Sequence, residues 1–280
     1  CTSDCLCSEN LYADNHRTHP VYCVICDAVP HEAAFVPCGE SRMKKIDAHA
    51  HIGEIGGWAN VAATPKQLLE LMDTYEIEKT VICSQNNEAV YQALCEWPDR
   101  FLGAVYVNPL EETCTQLLKQ YLEKGFQAVK LNPLRHAFVA DDVCVDPVME
   151  MAEHYHVPVC IHCGHPPYSL PWSIALLAER FPNVKVMMIH MGHGHGVYID
   201  ASLKMARRYA NLYLEMSGMP MHTKIKEAYE SVGANRILFG TDGPFHHPSV
   251  EMQKVLVSGL DEEALQKIFY DNAKAFFQIS

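Results

Sequence analysis

The stretch Lys45-Ile46-Asp47-Ala48-His49-Ala50-His51 puts three groups that bind metals or move protons at alternate positions. Residues two apart on a strand share a face, so Asp47, His49 and His51 are expected to point one way and Ile46, Ala48 and Ala50 the other. Two neutral imidazoles at a strand end can hold one divalent ion. Further groups of suitable chemistry stand at the ends of other apolar runs: Lys130 and Asn132, His162 and Cys163, His190 and His193, and Asp242 in Thr241-Asp242-Gly243. Alone, each has a plain reading as a core or turn residue. Together they form a metal-competent set, provided that the fold brings the run ends to one place.

The elements that must do so are legible. Eight near-continuous apolar runs cover 44–51, 79–84, 101–107, 126–132, 157–162, 184–190, 211–216 and 236–241. Such runs suit parallel strands covered on both faces. Helical patterns separate them. Thr64-Pro65-Lys66-Gln67 is a capping box ahead of an apolar stripe of Leu68, Leu69, Leu71, Met72 and Tyr75. Further helices are expected over 87–97, 111–124, 146–156, 172–181, 197–209, 222–232, 249–258 and 261–277. Alternation of this kind predicts an α/β fold, a (β/α)8 TIM barrel over residues 43–280. A doubly wound sheet is the competitor, but no Gly-rich fingerprint follows the first strand. In a barrel, the C-terminal strand ends share the active face, and that is where the set above lies.

Residues 1–42 differ. Six of the twelve cysteines fall here, with no long apolar periodicity, and they form a short Cys/His-rich N-terminal extension. Cys5-x-Cys7 and Cys23-x-x-Cys26 are candidates for a second, structural zinc. Free thiols or disulfides are the alternatives. The other cysteines are scattered along apolar runs, as expected in a reducing, cytoplasmic setting.

The net charge of −12 and the lack of a basic patch exclude nucleic acid as an expected partner. No apolar run reaches the roughly 18–20 residues of a membrane helix. The expected partner is a small-molecule substrate.

His49-x-His51, His162, His190 and Thr241-Asp242 resemble the amidohydrolase superfamily, in its branch of small single-barrel proteins. That branch includes aminocarboxymuconate-semialdehyde decarboxylase, aromatic-acid decarboxylases and lactonases. The terminal stretch Ile268–Phe277 resembles the closing helix of the branch, and the match runs from about 43 to 280. The resemblance implies that His49, His51, His162 and Asp242 bind one divalent metal, zinc foremost. It implies that Asp242 and His190 are the catalytic acid/base groups and that the protein pairs as a homodimer. Lys130 would either bridge two metals as a carbamate or, with Arg135, hold a substrate carboxylate. Trp58 and His193 are expected to line the substrate pocket. His165, His195, His246, His247 and Trp172 lie on loops of the same face. Asp47 is expected to sit deeper and support the histidines. The implied activity is zinc-dependent hydrolysis of an amide, ester or lactone. Nonoxidative decarboxylation of an unsaturated or aromatic acid is the alternative, and a noncatalytic metal-binding protein is the third.

Overall fold

A computed structural model describes residues 43–55 and 60–279. Residues 1–42, with Cys5, Cys7, Cys23 and Cys26, and Trp58 lie outside the described residues.

The first helix starts as its sequence requires. Thr64 Oγ1 accepts from Gln67 N, and Gln67 Oε1 accepts from Thr64 N, so helix α1 (Pro65–Thr74) has both ends of its capping box closed. Strand β1 (Lys45–His51) precedes it, and β4 (Ile77–Cys83) follows. Between β1 and α1 lies a small antiparallel hairpin, β2 (Gly53–Ile55) with β3 (Val61–Ala63), which the apolar pattern did not foretell. The alternation then continues through α2 (Asn87–Glu96), β5 (Phe101–Tyr106), α3 (Cys114–Glu123) and β6 (Ala128–Leu131). A short helix α4 (Pro133–His136) and a 3-10 turn (Val143–Val145) interrupt the βα rhythm ahead of α5 (Asp146–Tyr155). Next come β7 (Val159–His162), α6 (Pro171–Arg180), β8 (Val186–Ile189), α7 (Gly196–Arg208), β9 (Leu212–Glu215), α8 (His222–Val232), β10 (Ile237–Leu238) and α9 (Pro248–Leu256). The single final helix expected over 261–277 is instead α10 (Glu262–Gln266), a π-helical segment (Lys267–Asp271) and α11 (Asn272–Phe276).

Eight strands pair in parallel in the order β1-β4-β5-β6-β7-β8-β9-β10. The two ends of that order also meet. Ala48 N donates to Phe239 O at 3.0 Å, Asp242 N to His49 O at 2.8 Å, and Ala50 bridges Gly243 in parallel. The fold is therefore the (β/α)8 barrel expected, with all eight strands where the apolar runs lie.

Two packed layers hold it. Val81, Leu102, Ala104, Ala128, Cys160, Met187 and Leu238 gather with Phe276 and Phe277 of the C-terminal segment. A larger cluster joins the strands to the surrounding helices, through residues such as Val105, Val129, Leu118 and Leu203. Strand β1 breaks the strict alternation expected of it. Its register against β4 shifts between Asp47 and Ala50, so Ile46 and Ala48 join the first cluster whereas Ala50 and Ile52 join the second. An irregularity of this kind re-aims side chains at a barrel rim.

Candidate metal centre

Both histidines at the end of β1 face Asp242, which follows β10. Asp242 Oδ1 lies 3.2 Å from His49 Nε2 and 3.2 Å from His51 Nε2. Its Oδ2 is turned toward His190 Nε2 at 4.0 Å and His246 Nε2 at 3.8 Å. Each of these two separations suits a pair of ligands on one ion, since zinc ligands sit about 2.0–2.1 Å from the metal and so roughly 3.3 Å from each other. The ligand atoms of His49, His190 and Asp242 lie within 4.8 Å of one another, and all three residues are buried.

The backbone places these groups at some cost. His190 has φ 70° and Asp242 φ 52°, both in the left-handed region that side chains rarely adopt. His190 opens a 3-10 turn (His190–Gly192) at the end of β8. Its Nδ1 lies 2.9 Å from Ser217 O. A carbonyl oxygen only accepts, so Nδ1 carries the hydrogen and Nε2 presents its lone pair to Asp242.

Burial alone would push the Asp242 carboxyl up; hydrogen bonds from His49 and His51 oppose it, and the carboxyl is held well below the usual carboxylate range. Burial, reinforced by the neighbouring cations and rings, keeps His162 and His190 well below the ordinary imidazole range and therefore neutral. Burial likewise brings His193 down to about 4.

His162 faces the same cavity but makes a different contact. Its Nε2 lies 2.8 Å from His165 Nδ1, and the two rings stack. The structure thus groups His49, His51, His190 and Asp242 tightly and holds His162 one step away, its ring 4.8 Å from that of His190. Lys130 is 1 % exposed, with Nζ 3.3 Å from His49 Nε2, and burial pushes its ammonium down. Asp47, also buried, accepts from His49 N and Thr241 N through Oδ1 and from Thr241 Oγ1 through Oδ2. It braces β1 against the end of β10, in keeping with the supporting place expected of it.

The strand ends also bring in residues that the sequence alone had not singled out. Cys83 ends β4, with Sγ 3.3 Å from His51 Nδ1. The pair favours its charged form: against the effect of burial, Cys83 is brought down to about 5 and His51 up to about 9. Glu215 ends β9, fully buried. It accepts from His190 N and Ser217 Oγ through Oε2 and from Ser217 N through Oε1. The signal for both was position, a polar residue closing an apolar run.

A cavity of about 670 Å³ opens over these groups. His51, Lys130, His162, His190, His193 and Asp242 line its floor and side, and Gln85, Tyr106, Asn132 and Arg135 line it as well. Arg135 meets the Gln85 amide oxygen when that amide is oriented to accept. His195 packs at a tilt against Tyr198 instead, His247 caps α9, and Trp172 is packed edge-on to Tyr198.

Residues 46–279 match the family model described as Amidohydrolase. The chain belongs to the amidohydrolase family. Membership marks this amidohydrolase-family chain as an enzyme. Solved structures share its fold at low identity. An uncharacterised TIM-barrel protein from Bordetella bronchiseptica is 20 % identical, with 84 % of this chain and 98 % of that one covered at a TM-score of 0.70. A 2,6-dihydroxybenzoate decarboxylase from Rhizobium is 18 % identical, with 85 % and 99 % covered at 0.64. A 5-carboxyvanillate decarboxylase from Novosphingobium aromaticivorans, complexed with manganese and a nitrobenzoic acid, is 15 % identical, with 86 % and 97 % covered at 0.67. Among the described residues no helix is long and apolar enough to cross a membrane.

Proposed function

We propose that this chain is a metal-dependent hydrolase of a small molecule bearing an amide, ester or lactone bond. His49, His51 and Asp242 would hold the ion, and His162 would join them once its Nε2 leaves His165. Imidazoles outnumber the one carboxylate in this set, which suits zinc better than manganese. Bound there, the ion would polarise a carbonyl oxygen and acidify water.

The observation that carries this reading is the two-sided placement of Asp242. Oδ1 faces the β1 histidines, whereas Oδ2 is turned toward the cavity side and His190. An ionised carboxylate in that position accepts a proton from water and returns it to a leaving group. His190, with Nδ1–H committed to Ser217, offers Nε2 as a second site for a proton or a hydrogen bond to the substrate. Arg135, with Gln85 and Asn132 beside it in the cavity, supplies a cationic wall for a substrate carboxylate.

That wall also favours a second reading, nonoxidative decarboxylation of an aromatic or unsaturated acid; two of the structural neighbours are named as decarboxylases, of 2,6-dihydroxybenzoate and of 5-carboxyvanillate. The two reactions separate in one assay. The zinc-loaded protein is incubated in ¹⁸O-labelled water with a panel of lactones, esters, amides and hydroxylated aromatic acids. Label in the product acid supports hydrolysis, and release of CO2 without label supports decarboxylation. Neither, across the panel, counts against both.

A further inference from the structure

We infer that Cys83 is a positioning residue for the metal centre: its sulfur fixes the His51 ring with the hydrogen on Nδ1 and so aims Nε2 at the ion. This rests on the metal-centre reading above and adds to it a part for the cysteine that ends β4.

The geometry runs through three groups. Cys83 is 1 % exposed at the end of β4. Its Sγ lies 3.6 Å from Ala50 O and 3.3 Å from His51 Nδ1. The Ala50 carbonyl can only accept, so any hydrogen the sulfur keeps belongs on that side, and as thiol or thiolate it turns lone pairs to the ring. Nδ1–H therefore donates to sulfur. The other nitrogen, Nε2, stands 3.2 Å from Asp242 Oδ1, at the same oxygen that His49 Nε2 approaches. Metal-ligating histidines commonly give their second N–H to a carboxylate or carbonyl, which fixes tautomer and ring orientation. Here sulfur occupies that place. Asp47, the carboxylate on the same strand, is committed elsewhere, to His49 N and to Thr241.

Direct ligation by sulfur is the competing arrangement, because ligand atoms of His49, His51 and Cys83 also fall within 4.8 Å of one another. Against it, Cys83 meets the ring nitrogen opposite to the one turned toward Asp242.

The test compares wild type with Cys83→Val, which fills similar space without an acceptor, and Cys83→Ser, which keeps one. Zn²⁺ dissociation constants come from competition with a chromophoric chelator. Cys83→Val is expected to weaken Zn²⁺ binding by roughly 10- to 100-fold, with Cys83→Ser restoring most of it. Long-range ¹H–¹⁵N spectra of the His51 ring should show Nδ1 protonated in the zinc-loaded wild type. The Co²⁺-loaded wild type should lack intense sulfur-to-metal absorption in the near ultraviolet. Wild-type affinity in Cys83→Val, or Nε2 as the protonated nitrogen, overturns the inference. So does a strong sulfur-to-cobalt band, which would make Cys83 a ligand. Should Cys83→Val not fold, Cys83→Ala is read in its place. A wild type that binds no Zn²⁺, or binds it equally well as His49→Ala, overturns the metal-centre reading itself.

Discussion

Asp47 and Thr241 stand at opposite ends of the barrel sequence and meet through two hydrogen bonds: Thr241 N donates to Asp47 Oδ1 at 2.9 Å, and Thr241 Oγ1 to Oδ2 at 2.5 Å. The same Oδ1 accepts from His49 N at 3.1 Å. One buried carboxylate thus ties the strand that carries two histidines to the turn that carries Asp242. Asp47→Ala leaves at least two buried N–H groups without an acceptor, at about 1–3 kcal/mol each. We predict a loss of about 2–4 kcal/mol in unfolding free energy by denaturant titration. Weaker Zn²⁺ retention should accompany it, because His49 and Asp242 lose their shared brace. An unchanged denaturation midpoint would show that Asp47 contributes nothing to closure.

Asp242 has two tasks in the proposed chemistry, one at each oxygen. Asp242→Asn keeps the size of the group and an oxygen toward the histidines, but it removes the charge and the basic site. Activity on the responsive substrate is predicted to fall by roughly 10²- to 10⁴-fold, the usual worth of a positioned proton acceptor. Metal content by atomic emission should fall less than activity. A variant with wild-type turnover at full metal occupancy would remove Asp242 from the mechanism.

The barrel was legible because parallel strands sheltered on both faces must be apolar throughout, and eight such runs stand out from the helical pattern between them. The candidate set was legible for the same reason: a charged or imidazole group that closes an apolar run stands at a strand end. Cys83 and Glu215 hold the same kind of position, but cysteine passes for a small hydrophobe and a lone glutamate before Met216 looks like the start of a loop. Other features lie beyond any pattern of residue types. The register shift in β1 and the bond from Thr241 to Asp47, across 194 positions of sequence separation, exist only once the strands have paired. The pairing of His162 with His165 depends on the loop that carries His165 back over the strand end, where Ser169 Oγ accepts from His165 N.

Glu215 fits only because of the residue opposite. A Cβ on Gly240 would lie 2.4 Å from Glu215 Oε1. Gly240→Ala must therefore displace a carboxylate that holds His190 N and Ser217 in place. The predicted cost is about 1–3 kcal/mol of stability, as for other overpacked cores. Turnover should drop more than substrate affinity, since His190 moves while the Arg135 wall does not. Equal stability and turnover in Gly240→Ala would mean that Glu215 has an alternative seat.

The His51 proton sets how metal affinity depends on pH. In the metal-free protein Cys83 and Asp242 outweigh burial and raise His51 to about 9, above its ordinary value of 6.5. Below about 9 the ring carries a proton on both nitrogens, and an ion reaches Nε2 only by displacing one of them. Apparent Zn²⁺ affinity should therefore climb about tenfold per pH unit between pH 7 and 9 and level off above, with close to one proton released from His51 per ion bound. The sign follows from linkage: the metal-bound state holds fewer protons, so raising the pH favours it. Chelator competition across this range reads the slope, and calorimetry in buffers of different ionisation enthalpy counts the proton. In Cys83→Val the source of the upward shift is partly removed, and the plateau should begin at lower pH. A flat profile in the wild type would mean that His51 is already neutral at pH 7 and that its approach to Asp242 needs no displaced proton.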